Sequence, residues 1–415
     1  METLNEKQRS VLEFILNGKN AFITGFAGSG KSYLIEHLRK TLKQQKKRVA
    51  LTAMTGCAAL LINGKTLHSE LGIGLAKGEP RDLLKRIRRT EGMFEHLFYL
   101  DCLIIDEVSM LSDLLFDKIN ALFKLIKHKE TPFGGLQVIL VGDMSQLKPV
   151  EGEYCFFGFT WDSCQFTICV LTENMRVQND QRFHDLLTKF RWGKLSDLEL
   201  IEQMKQNDFS HLKVKPTKLF SKNKDVDALN QYELGLLLQT GREVVSFKVL
   251  YTENPLKLKV STKYVSDAKI PEFLQLCIGA QVMVTRNLSF EEGIINGTRG
   301  IVVSISKTGV IIQLLNGNFF TVSYFHVKPE GEEDDIHLDF KYIPLILSWA
   351  VSIHKSQGAT IDCLEVDLGE SIFACGQAYT ALSRARSSSS VKITNFNPKS
   401  IKVSKSVIHF YTKYT

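Results

Sequence analysis

The chain has 415 residues, 44% of them hydrophobic and 23% charged, with a formal net charge of +7. That length predicts about three domains and excludes a small single module, and the apolar content excludes long disorder. The mild basic excess suits a polyanionic partner without specifying one.

The N-terminus lacks a basic start followed by an apolar run, and no apolar stretch approaches the ~20 residues of a membrane span. A soluble intracellular protein, of cytoplasm or nucleus and with no membrane partner, is expected. Eight cysteines, at 57, 102, 155, 164, 169, 277, 363 and 375, form no C-x-x-C pair and have no histidine at zinc spacing. Reduced, mostly buried thiols are expected rather than a disulfide or metal framework.

In chain order, residues 20–24 (NAFIT) read as a short apolar strand, followed by a Gly-rich turn and a helix with Leu34, Ile35 and Leu38 on one face. Segments 48–53 (RVALTA), 102–105 (CLII) and 137–141 (QVILV) are apolar runs between helical stretches, as in a parallel sheet covered on both faces. Residues 1–150 are therefore expected to form one α/β domain. The α/β pattern continues from 151 through 217–230, pauses, and resumes near 342 with YIPLILSWAVSI, read as a buried strand, with VKITNF and with the helix-like 374–386. A second α/β domain over 151–244 and 341–415 is expected. Within 245–340, strand-like runs at 280–285, 300–304 and 309–315 alternate with turns at Asn296-Gly297 and Asn316-Gly317, which predicts a small inserted β-barrel. The acidic run Glu332, Glu333, Asp334, Asp335 reads as a solvated loop.

The chemistry begins at residues 25–32, GFAGSGKS, which fit G-x-x-x-x-G-K-[ST] between a strand and a helix. Gly25, Ala27, Gly28, Ser29 and Gly30 form a loop whose backbone N–H groups can close around phosphate oxygens. Lys31 neutralises β/γ charge, and Ser32 can ligate Mg²⁺. Asp106 and Glu107 end the strand CLII, where one carboxylate can hold Mg²⁺ and its neighbour can activate water, a pairing that favours hydrolysis of the nucleotide. Gln146, in GDMSQL after another buried strand, can sense the γ-phosphate. Arg176 in TENMR and Arg384 in ALSRAR are candidate fingers for the transferring phosphoryl group.

The order of motifs resembles the Pif (petite integration frequency) family of superfamily 1B DNA helicases over nearly the whole chain. LNEKQ at 4–8 is similar to an adenine-reading glutamine motif and implicates Gln8; TAMTGCAA, KTLHSELGIG and DEVSM follow in the family's order. FDKIN…PFGGLQVILVGDMSQLKPV within 116–150 is the most specific segment, and RecD-type and Dda-type helicases are the next nearest group. TENMR, NKDVDALN at 223–230, GAQVM, INGTRG, SWAVSIHKSQGATI at 348–361 and GQAYTALSRAR at 376–386 complete the series. Lys148 stands where the family usually has the first of two prolines, and Met54 replaces a common serine.

The resemblance implies two RecA-like P-loop motor domains, with a wedge-like insertion at about 70–98 in the first and an SH3-like barrel at 245–340 in the second. It implies a compact core that hydrolyses ATP with Mg²⁺, moves 5′→3′ on single-stranded DNA and separates duplex ahead of it. By the same resemblance Gln8 reads adenine, Gly358 joins the nucleotide site, and Gln146, Arg176 and Arg384 address the γ-phosphate. Thr55, Gly56, Thr66 and His68 on the first domain, with Asn223, His354, Lys355, Ser356 and Gln357 on the second, are expected to hold DNA. The expected partners are single strands and single/double-strand junctions, with G-quadruplexes and RNA–DNA hybrids as further candidates, and the expected working form is a monomer.

A basic cluster (Arg81, Lys85, Arg86, Arg88, Arg89) either touches duplex phosphates or is a solvated helix face. Two other readings stay open on the residues alone. One is a nucleotide-switched DNA-binding or remodelling protein that grips without processive unwinding; the other is a small-molecule P-loop kinase, against which Glu107, Gln146 and the arginines argue.

Overall fold

The computed structural model describes residues 4–173, 180–268, 270–289, 291–327 and 339–414. Arg176 and the acidic run at 332–335 lie outside them. The chain divides into two compact units: Met1–Arg176 with Ala374–Gly376 and Val403–Thr415, and Val177–Phe373 with Gln377–Lys402.

The first unit is built on a six-stranded sheet. Its strands are β1 (Ala21–Gly25), β2 (Val49–Ala53), β3 (Lys65–Thr66), β4 (Cys102–Asp106), β5 (Gln137–Val141) and β6 (Thr167–Leu171), in the order β3-β2-β4-β5-β1-β6. Every pairing is parallel. β1, β4 and β5 are buried along their whole length, which is why they read as unbroken apolar runs rather than alternating ones. One face is covered by α1 (Glu6–Leu16) and α2 (Lys31–Gln44), whose Val11, Ile15, Leu34, Ile35, Leu38 and Leu42 join a core with Ile23, Ile104 and Ile139. Short α3 (Gly56–Leu61) and α4 (Leu67–Glu70) follow β2 and β3; α5 (Pro80–Arg88) and α6 (Met93–Phe98) occupy the stretch expected to form a wedge-like insertion.

The region 116–150 carries a local device. Ser112 caps α7 (Asp113–Lys127), accepting from the Leu115 N–H, and the helix buries Phe116, Ile119, Leu122, Phe123 and Ile126. The PFGG turn that follows is left-handed at Phe133 and Gly134. A Cβ at Gly134 would lie 2.5 Å from the Phe123 carbonyl oxygen, so only glycine fits there. Buried Asn120 accepts the Phe133 N–H at 2.6 Å, which ties the turn back under the helix and aims the chain into β5.

The boundary expected at 150 falls inside this unit. Residues 167–171 pair with β1 from Ala21↔Thr167 to Gly25↔Leu171, so the sheet takes one more strand before the chain leaves. The C-terminal helix Lys405–Tyr414, expected within the second domain, also belongs to the first unit. Phe410 stacks on Phe156 with ring centroids 4.4 Å apart and meets Trp161 at 5.8 Å. Burial of this aromatic surface is a strong enough apolar term to override the helix's position at the end of the chain.

In the second unit, strands Ala350–Ser352, Thr217–Phe220, Leu364–Leu368 and Val391–Phe396 form a parallel sheet in that spatial order. The segment 342–353 is not one strand. It ends one short strand at Tyr342 and forms two more, Leu345–Leu347 and Ala350–Ser352, because Pro344 interrupts the first pairing and Leu345–Leu347 turns to an antiparallel partner. The helix-like 374–386 reduces to Gln377–Leu382, which starts after the left-handed Gly376.

The 245–340 segment forms antiparallel strands as expected, with Gly297 and Gly317 in left-handed turns. Arg299–Ile305, Gly309–Leu314 and Phe319–Ser323 run antiparallel in a five-stranded sheet that recruits Leu345–Leu347 from beyond 340. A helix, Pro255–Asp267, lies in the same segment and was not expected from the sequence. Its junction with the parallel sheet is polar: Arg299, with no exposed surface, donates to Asp362, to the Lys215 carbonyl and to the Thr217 hydroxyl.

The thiols of the described cysteine side chains are unpaired, all buried except the half-buried Cys375. Among the described residues no helix is long and apolar enough to cross a membrane.

Asn120→Ala removes the acceptor of a buried N–H, so a loss of about 1–3 kcal/mol of stability is expected, read as a lower urea midpoint at unchanged slope; an unaltered midpoint would assign the turn's stability to Phe133 packing alone.

Candidate nucleotide site and nucleic-acid loops

Parallel strands all end on the same edge of a sheet, and three neighbours, β4, β5 and β1, end in the three chemical loops. After β1, Gly28 (φ +89°) and Gly30 (φ +79°) adopt left-handed conformations that let the loop GFAGSGKS fold back before α2 begins. Lys31 Nζ donates to the carbonyls of Gly25 (3.0 Å) and Phe26 (2.8 Å) and to Ser29 Oγ (3.4 Å), so the ammonium lies over the loop rather than extending into solvent. Ser32, the second residue of α2, is exposed.

After β4, Asp106 is buried and its Oδ1 accepts the Glu107 N–H at 2.9 Å. Burial and the neighbouring Glu107 charge push its carboxyl up to about 7, with the Lys31 ammonium opposing them. Glu107 itself sits at φ +53°, ψ +43°, a conformation that costs a non-glycine residue on the order of 1 kcal/mol and concentrates at functional sites. After β5, Gly142 passes so close to the Val108 amide that a Cβ would lie 2.9 Å from it. The next turn is fastened by Gln146 N–H to Asp143 carbonyl (3.0 Å) and Ser145 N–H to Asp143 Oδ1 (3.1 Å), leaving Gln146 largely buried.

Gln8, expected to read adenine, is buried at the third position of α1. Its Oε1 accepts the Asn5 N–H at 3.1 Å while Asn5 Oδ1 accepts its own N–H at 2.7 Å. This capping box holds the glutamine side chain at the helix start. The cap has a sequence signal of its own, the N-x-x-Q spacing of Asn5 and Gln8.

The nucleic-acid candidates of the first unit follow β2 and β3, the neighbours on the other side of β4. Thr55 accepts the Ala58 N–H (3.2 Å) and Thr66 the Ser69 N–H (3.3 Å), so both hydroxyls cap short helices; Thr55 is half-buried and Thr66 buried. Gly56 opens α3, and His68 is half-buried on α4. Met54 N–H donates to the Asp106 carbonyl at 3.3 Å, which links the Thr55 loop to the acidic pair through one backbone bond.

Glu70, which the sequence reading passed over, ties this loop to α6. It is buried, bonded to His96 Nε2 at 2.7 Å and paired with Lys65 Nζ at 3.3 Å. Burial alone raises its carboxyl, but the Lys65 charge and the His96 contacts outweigh burial and hold it at about 2. No pairing rule links positions 26 apart, so the sequence carried no signal for this contact.

In the second unit, Asn223 is exposed at the start of its helix, Lys355 and Gly358 are exposed, and His354 is half-buried. Ser356 and Gln357 are buried, and the Ser356 hydroxyl donates to the Ile353 carbonyl at 2.9 Å. Arg384 is buried in this unit, donating to the Thr380 carbonyl (2.9 Å) and Ser383 Oγ (2.8 Å). Ile361 N–H returns to the Arg384 carbonyl at 2.9 Å, which locks the SRAR turn to the SQGAT turn.

A phosphate loop, an acidic pair and a glutamine loop on adjoining strands of a parallel sheet define a P-loop nucleotide-binding α/β protein. Residues 3–206 match the model of the PIF1-like helicase family, and residues 269–305 match that of the 2B domain of DNA helicase Pif1. The ATP-dependent DNA helicase Pif1 of Bdellovibrio bacteriovorus is 34% identical, over 99% of this chain and 92% of its own. The chain belongs to the PIF1-like helicase family, in agreement with the resemblance read from its motifs.

The ATP-dependent DNA helicase PIF1 of Xenopus laevis is 35% identical over 98% of this chain, which spans 64% of that protein's length. Bacteroides Pif1 has been solved in complex with ADP-AlF4 (TM-score 0.83, 26% identity) and bound to single-stranded DNA (TM-score 0.67, 25% identity). In both comparisons the match covers 100% of this chain and 97% of the other.

Because the Glu70 carboxyl is depressed from 4.5 to about 2, the stability it contributes is full above pH ~4.5 and disappears as pH falls toward 2. Glu70→Gln is therefore expected to be less stable than the parent by on the order of 2–3 kcal/mol at neutral pH, with the two denaturation curves converging below pH 4; a gap independent of pH would refute the ion-pair account.

Proposed function

We propose that this chain hydrolyses ATP and uses the cycle to move 5′→3′ along single-stranded DNA, separating duplex ahead of it. The observation that carries the reading is that the phosphate loop, the Asp106-Glu107 pair and the Gln146 loop end three adjoining strands, while the next two strands end at Thr55 and Thr66. On this reading nucleotide chemistry and strand grip share one sheet, and the Met54-to-Asp106 hydrogen bond supports a link between them.

In this mechanism Lys31 and the loop N–H groups bind the β- and γ-phosphates, and Gln8 orients the base. Mg²⁺ fits the donor set, because Ser32 and Asp106 offer hard oxygens. Bound there, the cation would neutralise phosphate charge. Glu107 takes the proton of the attacking water, and Gln146 registers the γ-phosphate. Arg176 and Arg384 supply positive charge to the transferring group, and Gly358 completes the nucleotide contacts. Thr55, Gly56, Thr66 and His68, with Asn223, His354, Lys355, Ser356 and Gln357, hold the strand; Ser356 and Gln357, which are buried, act through the shape of their turn.

The single strand and its junction with duplex are the proposed partners, gripped by a monomer with an SH3-like barrel at 245–340. G-quadruplexes and RNA–DNA hybrids are secondary substrates of the same reading. On α5 and at the Arg89 that follows it, Arg81, Lys85, Arg86, Arg88 and Arg89 are all exposed while Leu83 and Ile87 are buried, which leaves a basic face available to duplex phosphates.

ATP-dependent strand separation from a 5′ tail, abolished in Lys31→Ala, is the expected result on matched 5′- and 3′-tailed forks. Separation from the 3′ tail alone would reverse the polarity, and DNA-stimulated ATPase without separation would leave a nucleotide-switched clamp. For the basic face, Arg86/Arg88/Arg89→Ala is expected to flatten the salt dependence of fork binding by about three phosphate contacts; an unchanged slope takes α5 off the DNA path.

A further inference from the structure

The turn that carries Gln146 is held by a residue far away in sequence. Tyr411, on the C-terminal helix, is buried, as are Thr24 at the end of β1 and Asp143 and Met144 after β5. Its Oη accepts the Met144 N–H at 3.0 Å, donates to Asp143 Oδ1 at 3.2 Å, and lies 2.8 Å from Thr24 Oγ1. A phenol has one proton and two lone pairs. With its proton committed to the carboxylate, the Thr24 hydroxyl is the donor in the third bond, and all three valences are used.

These three contacts span the parts that hydrolysis needs in register. Thr24 immediately precedes Gly25 of the phosphate loop, and Asp143 and Met144 open the turn that ends in Gln146. Asp143 is a carboxylate with no exposed surface, so its donors fix where it sits; its Oδ1 serves both Tyr411 and the Ser145 N–H. A hydrogen bond inside a low-dielectric core is among the stiffer restraints available to a loop. Gly376 (φ +75°) lies flush against the Ser145 and Gln146 carbonyls, where a Cβ would collide with both. The turn is therefore in contact with both a glycine backbone and a tyrosine hydroxyl.

We propose that Tyr411 is a positioning residue for nucleotide hydrolysis, setting the distance between the phosphate loop and Gln146 through the Thr24–Tyr411–Asp143/Met144 network. The proposal rests on the ATPase reading above and adds to it a residue that touches neither nucleotide nor DNA.

Tyr411→Phe keeps the ring and deletes only the hydroxyl. Two measurements on the full chain separate this proposal from the reading beneath it. The first is amide hydrogen exchange, which does not depend on turnover. In Tyr411→Phe the peptide covering 142–147 is expected to exchange at least about tenfold faster, with peptides of the 217–220 strand unchanged. Equal exchange at 142–147 overturns the proposal.

The second is a double-mutant cycle on single-strand-stimulated ATPase with Gln146→Ala. Tyr411→Phe alone is expected to lower kcat about three- to tenfold with KM for ATP within twofold, and to cost almost nothing further on the Gln146→Ala background. Asn120→Ala, which destabilises the same unit elsewhere, serves as the control and is expected to keep kcat well below its melting temperature. Equal fold-losses on both backgrounds, or a kcat loss shared by Asn120→Ala, would reduce Tyr411 to a packing residue. No turnover in the parent chain would overturn the ATPase reading, and the exchange arm would still decide whether Tyr411 holds the loop.

Discussion

Parallel strand pairing is the constraint on which the rest of the first unit depends. Because β4, β5 and β1 run the same way and lie side by side, their carboxyl ends deliver an acidic pair, a glutamine turn and a phosphate loop to one edge. A single antiparallel member would send its loop to the opposite side of the sheet. The apolar content of these strands, buried on both faces, is thus a functional requirement: it holds the strand order that places the chemistry. The same order sets β2 and β3 beyond β4, so that the loops proposed to hold DNA sit on the edge that holds the nucleotide.

Polar groups buried at or near that edge supply rigidity that apolar packing alone does not. Asp106 is desolvated beside a second carboxylate and is shifted upward as a result, while Glu70, equally buried, is shifted downward because a lysine and a histidine face it. The contrast is one of partners rather than of depth. Asp143 is held by oriented donors, and Arg384 and Arg299 in the second unit are closed off by carbonyls, hydroxyls and a carboxylate. Each such network penalises any loop movement that would leave a charge without partners.

Much of the architecture was legible in the sequence because it depends on local chemistry. GFAGSGKS specifies its own turn through glycines that can take left-handed conformations, and four of the six strands of the first sheet are visible as apolar runs because both faces are covered. β3 and β6 escaped for opposite reasons. β3 is two residues long, and β6 is an edge strand whose alternating burial resembles a loop-proximal segment. The run 342–353 misled because hydropathy records burial and not direction: its residues are buried in three separate strands that serve different sheets.

What the sequence determined by itself was the set of reactive groups and the class of fold, since glycine geometry, strand periodicity and motif spacing act over a few residues at a time. Only the tertiary structure decided where the C-terminal helix docks, that Glu70 meets His96, that Gly376 lies against Gln146, and that Tyr411 reaches Thr24 and Asp143. Those contacts join residues from 26 to 387 positions apart. Their strength comes from desolvation and hydrogen bonding in a shared interior, a property of the folded packing that no local window of sequence contains.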